Sequence, residues 1–211
     1  MRPKQFTLTP QSDADGICAS QTPSASGEQS LTIAGALASG GSVTLNQGHL
    51  IQVTAAGNET GRDFTITGTD YRGNTISEVV EDPNAGAVST TKYFKTVTSV
   101  TVDDDTAGAI TVGVNGQSSS NTIPLDRYQT PFNVGIGIDI SNTLTYTVQH
   151  TFDNVQIDTS LDALKWFNHD DLAAQTADAD GNYAFNVEAV RIIITSFTSG
   201  TLTGTLIQSG V

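Results

Sequence analysis

Two acidic clusters carry the first residues whose types and spacing suggest chemistry: Asp13-Ala14-Asp15-Gly16 and Asp178-Ala179-Asp180-Gly181-Asn182. Alternate carboxylates of this kind can share one cation. A calcium loop needs more oxygen ligands and a distant bidentate Glu, which neither cluster supplies at the required place. Asp and Gly are also turn formers, so both clusters are expected as turns, and Asp103-Asp104-Asp105 as a solvated hairpin tip. The three histidines, His49, His150 and His169, form no His-x-His or His-Glu-x-x-His pair and no Cys/His spacing, so no metal site is expected. His150 shares the parity of Leu144, Tyr146 and Val148 and is expected to face a core. His169 falls near Trp166 and Asp170 in a long connection, where a binding surface can form, and His49 precedes a strand.

Nucleophilic chemistry has no better footing. There is no Gly-x-Ser-x-Gly elbow, and Cys18 has no readable partner. The glycine-rich residues 35–41 lack a lysine and a following helix, which excludes a phosphate loop. Many aspartates are present, but nothing selects a pair for glycoside hydrolysis. The reading is therefore of a protein that is not an enzyme and has no cofactor. What remains is contact. Trp166, Phe167 and Tyr183 cluster around the long connection, where they either anchor an interface or plug the end of a sandwich. Arg2 and Lys4, close to Phe6, are the densest positive charge. The candidate partner-contact residues are Arg2, Lys4, Phe6, Trp166, Phe167 and His169.

Composition sets the frame that must position these residues. The 211 residues are 37% hydrophobic and only 15% charged, too apolar for a disordered chain and too uncharged for a helical bundle. A net charge of −13 repels a phosphate backbone, so no nucleic acid is expected as a partner. One cysteine cannot form an internal disulfide. The start, Met1-Arg2-Pro3-Lys4-Gln5-Phe6-Thr7, has no apolar run behind its charges, so no signal peptide is expected. No stretch approaches the roughly 20 apolar residues of a membrane helix, so no membrane is expected either. The expectation is a soluble chain folded in a reducing cytoplasm.

Period-two alternation recurs along most of the chain and predicts short strands. Residues 64–67 and 75–79 are expected to pair through a turn carrying Asp70, Gly73 and Asn74. Residues 97–102 and 109–114 are expected as a second hairpin. Residues 132–140 place large apolar side chains at every even position, and the glycines between them suggest close approach by another layer or a partner. Residues 144–152 repeat the pattern after a tight turn at Ser141-Asn142-Thr143. The one expected helix covers residues 161–167, with Ser160 as its cap. Residues 115–121 read as a flexible joint, and residues 1 to about 30 as a polar arm able to pair with a partner's strand edge. The expected fold is all-β: a jelly-roll-like β-sandwich, residues 1–42 plus 117–211, with a second small Ig-like β-sandwich, residues 43–116, inserted. Two consecutive sandwiches behind a free arm are the alternative.

The inserted segment resembles a module of tailed-bacteriophage virion proteins. The residues that carry the likeness are Thr65-Ile66-Thr67-Gly68-Thr69-Asp70, Gly73-Asn74, Asn84-Ala85-Gly86 and the run from Thr90-Thr91-Lys92-Tyr93-Phe94 to Val100. The stretch from Tyr146 to Asp153, that from Gln175 to Phe185 and the closing Leu206-Ile207-Gln208 are similar to the same small phage proteins. The resemblance implies a virion structural protein, a capsid cement or decoration protein that binds the major capsid protein on the capsid exterior after synthesis in the host cytoplasm. It also implies a homo-oligomer, with a trimer the natural form. A tail, adaptor or host-receptor-binding role is the alternative.

Overall fold

The computed structural model describes residues 3–81, 83–156 and 161–208; Arg2 and Ser160 lie outside them. The chain divides into two compact units, Gln11–Gly116 and Met1–Pro10 with Gln117–Val211. We call them the inserted unit and the split unit. Strands are numbered along the chain.

The split unit begins with β1 (Lys4–Leu8). The inserted unit follows with β2 (Ser12–Gln21), β3 (Gln29–Ser30), β4 (Ala38–Ser39), β5 (Ser42–Ala55), β6 (Asp63–Thr69), β7 (Thr75–Glu81), β8 (Ala87–Ser89), β9 (Phe94–Val102) and β10 (Ile110–Ser119), the last ending in the split unit. Its main ladder runs β2-β10-β5-β9-β6-β7, with β3 on β9 and both β4 and β8 on β5. Alternation explains the packing. In β6 the even-numbered Phe64 and Ile66 are buried and the odd-numbered Thr65, Thr67 and Thr69 are not. Ile17, Leu45, Ile51, Phe64, Phe94, Val100 and Val112 then meet in one core drawn from both ends of the ladder. The β6–β7 hairpin closes on Asp70, whose Oδ1 accepts the backbone N–H of Arg72 (2.8 Å) and Asn74 (3.0 Å). Gly73 supplies the left-handed conformation at φ 87° that this turn requires.

His49 lies in β5, fully buried, with Nε2 3.1 Å from Asn46 Oδ1 and Nδ1 without a partner. Burial first, and the Lys95 charge second, lower its pKa to about 4. An unfolded histidine titrates near 6.5, so the unfolded chain takes up this proton first as pH falls. The contribution is present above pH 6.5 and is lost between 6.5 and 4, reaching about 3 kcal/mol at the acid end. Chemical unfolding of the wild type against His49→Gln across this window checks it. The wild type is expected to lose up to about 3 kcal/mol relative to His49→Gln as the pH falls from 6.5 to 4.

The split unit is completed by β11 (Ile123–Pro124), β12 (Val134–Ser141), β13 (Leu144–Thr151), a 3-10 turn at Leu161–Ala163, β14 (Phe167–Asn168), β15 (Ala179–Tyr183), β16 (Ala189–Phe197) and β17 (Thr201–Gln208). One antiparallel sheet has the order β1-β17-β12-β15. The other runs β14-β13-β16, with β11 and the end of β10 on the free side of β16. Ile136, Tyr146, Val148, Leu172, Tyr183, Ile192 and Leu202 form a core between the two layers. Both units are thus all-β, as the alternation predicts.

Several expectations are corrected. Residues 11–42 belong with the inserted unit and not with residues 117–211, because β2 pairs with β10, β3 with β9 and β4 with β5. The N-terminal arm is folded: residues 4–8 are the edge strand β1 on β17. Residues 97–102 and 109–114 are not a hairpin, since β5 lies between them. In the inserted unit the strands form one continuous antiparallel ladder whose two ends share a core, consistent with a β-sandwich. The flexible joint is strand as far as Ser119, and Ser120 continues the pairing by exchanging bonds with Ile192. The helix over residues 161–167 is only the 3-10 turn, and Phe167 is already strand. Asp13 and Asp15 lie in β2; Asp178 immediately precedes β15, in which alternation turns Asp180 outward. Both glycines of β12 face an open groove, not a further layer: a Cβ on Gly137 would meet nothing within 4 Å.

Candidate functional site

The candidate site lies at one end of the split unit, where three strand ends converge. β13 carries His150 inward and continues to Phe152 as the strand stops. β14 pairs Phe167 opposite His150 and Asn168 opposite Gln149. β15 ends on the buried Tyr183, and Phe185 follows two residues later. The result is a cluster of rings around His150. Its centroid lies 5.4 Å from that of Phe152, 5.9 Å from Phe167, 5.1 Å from Tyr183 and 5.8 Å from Phe185. Phe152 packs edge-on against Phe167 at 5.8 Å and stacks on Phe185 at 6.4 Å. His150 and Tyr183 are buried, yet Phe152 is 56%, Phe167 44% and Phe185 51% exposed. At the surface Phe152 touches both Phe167 and Phe185, which gives a contiguous apolar patch, the kind that marks an interaction site when single exposed apolar residues do not.

A pocket of about 120 Å³ adjoins the patch, lined by His150, Asn168, His169, Asp170, Asp171 and Phe185, with Asn182 and Tyr183. Hydrogen bonds set its electrostatics. His169 Nδ1 accepts the backbone N–H of Asp171 at 3.1 Å, and its Nε2 donates to the Asn182 carbonyl at 3.2 Å. Both nitrogens are engaged, one as acceptor and one as donor, which describes a neutral imidazole. His150 Nδ1 lies 3.1 Å from the Tyr183 hydroxyl. Burial first, then the neighbouring His169, lowers the His150 pKa against an opposing pull from Asp170. Burial also raises the pKa of the Tyr183 phenol. Burial thus holds His150 towards its neutral form beside the Asp170 and Asp171 side chains.

No protein-family model and no curated protein matches this chain. No helix among the described residues is long and apolar enough to cross a membrane. No group of three or more His, Cys, Asp or Glu side chains among them is placed to hold a metal ion.

The structure brings together two of the six residues singled out from sequence, Phe167 and His169. Trp166, next in the chain, is half-buried under the Arg191 guanidinium, 4.2 Å from its ring centroid, with Nε1 enclosed and unpartnered. Lys4 and Phe6 lie on the edge strand β1, where Lys4 is exposed and Phe6 packs over Gly204. Sequence reasoning missed Phe152 and Phe185. Both share the parity of buried neighbours, Phe152 with His150 and Phe185 with Tyr183, so parity assigns them to the core. Their position just past a strand end, where the opposite layer no longer covers them, is the signal that distinguishes them.

Proposed function

We propose that this chain is a virion structural protein of a tailed phage, which binds the outer capsid surface as a cement or decoration protein and bridges and stabilises capsid subunits. The observation that carries the reading is the exposed patch of Phe152, Phe167 and Phe185, an aromatic surface of the composition found at the centre of protein interfaces. The order β1-β17-β12-β15 packed on β14-β13-β16-β11 supports a jelly-roll reading of the split unit, an architecture used by capsid proteins. The acidic chain suits the outside of a shell better than a surface facing DNA. A homotrimer on a symmetry axis multiplies modest contacts with the major capsid protein through multivalency. A tail, adaptor or host-receptor-binding protein is the second reading; the polar pocket beside the rings is the observation that favours it.

Binding only the assembled lattice stabilises it by mass action. Undecorated capsids heated with increasing amounts of the protein are expected to rupture at rising temperature until the sites are filled. An unchanged rupture temperature at saturating protein overturns the stabilising role.

A further inference from the structure

What the aromatic patch recognises, on the reading that it is a protein-contact surface, is set by the groups beside it. Next to three half-exposed phenylalanines, the pocket presents two exposed carboxyl groups, Asp170 and Asp171, whose side chains make no hydrogen bond among the described residues. The charge of Asp170 reaches both His150 and Tyr183, which places it beside the rings. The local cation candidates do not neutralise it. His169 is fixed as a neutral ring by its two bonds, and Arg191 is spent on Gln149 Oε1 (2.8 Å) and the Trp166 face. An apolar surface bordered by uncompensated negative charge selects a partner that is both apolar and basic. A second copy of this chain, with a net charge of −13, brings more of the same sign.

We infer that the patch receives an arginine side chain of a different protein, its guanidinium between the Asp170 and Asp171 carboxyl groups and the Phe185 ring, with apolar neighbours of that arginine covering Phe152 and Phe167. Arginine fits better than lysine. Its planar fork meets carboxylates with several donors at once, and its weakly hydrated plane lies against an aromatic face. The pairing also explains why rings and carboxyl groups adjoin: the apolar contact strips water from the ion pair and so strengthens it.

The test uses the full chain and two short peptides, N-acetylated and C-amidated: Leu-Arg-Leu, and the same peptide with uncharged citrulline for arginine. Aromatic NMR signals of Phe152, Phe167 and Phe185 are followed during titration. The arginine peptide is expected to shift them, and the citrulline peptide to bind on the order of tenfold more weakly. The double variant Asp170→Asn with Asp171→Asn is expected to lose the same factor; both sites are exposed, and Asn retains the backbone donor to His169, so the fold is kept. Equal binding of the two peptides, or undiminished binding by the double variant, overturns the inference. So does a response of the rings to neutral methyl glycosides but not to the arginine peptide, which would make this a sugar site. Retention on undecorated capsids separates this idea from the cement reading. Arginine-peptide binding by a protein that capsids do not retain sinks the cement reading alone. Capsid retention that the double variant shares fully, with no peptide binding, sinks the arginine inference alone.

Discussion

Replacing Phe152, Phe167 and Phe185 together with serine is expected to release the protein from undecorated capsids while the fold survives. Each ring leaves about half of its surface in water. Covering half of a phenylalanine removes on the order of 100 Å² from solvent and contributes about 2 kcal/mol. Three such rings at one contact give a combined loss on the order of 10⁴-fold in affinity, within the range of interface hot spots. The folded state loses less, because the core under the patch is built by Tyr146, Val148, Leu172 and Tyr183, which stay. Tyr128 is the control. It is 82% exposed, more than any of the three, but lies outside the ring cluster, and Tyr128→Ser is expected to leave retention unchanged. Co-sedimentation with capsids, paired with a melting curve for each variant, checks both halves. A triple variant that sediments like the wild type would show that the patch is not the contact.

The second large effect is structural. Gly113→Ala is expected to destabilise the inserted unit by about 3 kcal/mol, lowering its melting temperature by roughly 10 °C or more. A Cβ at this position of β10 would stand 2.0 Å from the Asp13 carbonyl oxygen and 2.5 Å from the Ala14 carbonyl carbon. Both are backbone atoms of β2, so no rotamer change relieves the clash, and the strands must separate. The pairing there already shifts register between Val112↔Cys18 and Val114↔Asp13, which is how the two backbones come so close. On the opposite side Gly35 presses as tightly, with a Cβ 2.3 Å from the Asp15 carbonyl oxygen. Gly137→Ala in β12, where nothing lies within 4 Å, is the matched control and is expected to be neutral. Calorimetry of the two variants decides. A harmless Gly113→Ala would mean that residues 12–21 do not pack against β10.

Strand positions were legible from the sequence where one face is buried. β6, β12 and β17 alternate cleanly because a period of two and a half-buried sheet are the same statement. The β6–β7 turn was legible because Asp70, Gly73 and Asn74 act locally. Pairing was not. Placing β5 between β9 and β10 depends on contacts some 50 residues apart in sequence, and alternation carries no information about partners. β12 and β13 are joined by only two residues and still enter different sheets. Ser118, Ser119 and Ser120 read as a loop by composition, yet they are buried because their polar groups are satisfied by pairing with β16. The site shows the same division. Phe167 and His169 drew notice through the long connection, whereas Phe152 and Phe185 join them only because strand ends distant in sequence converge.

On the proposed function, the split unit meets the capsid through this patch. Hydrogen–deuterium exchange on the chain, free and bound to undecorated capsids, tests it most directly. Slowed exchange is expected in residues 149–152, 166–171 and 182–186, with the inserted unit unchanged. Protection confined to the inserted unit or to β1, or no protection at saturating capsid, would contradict it.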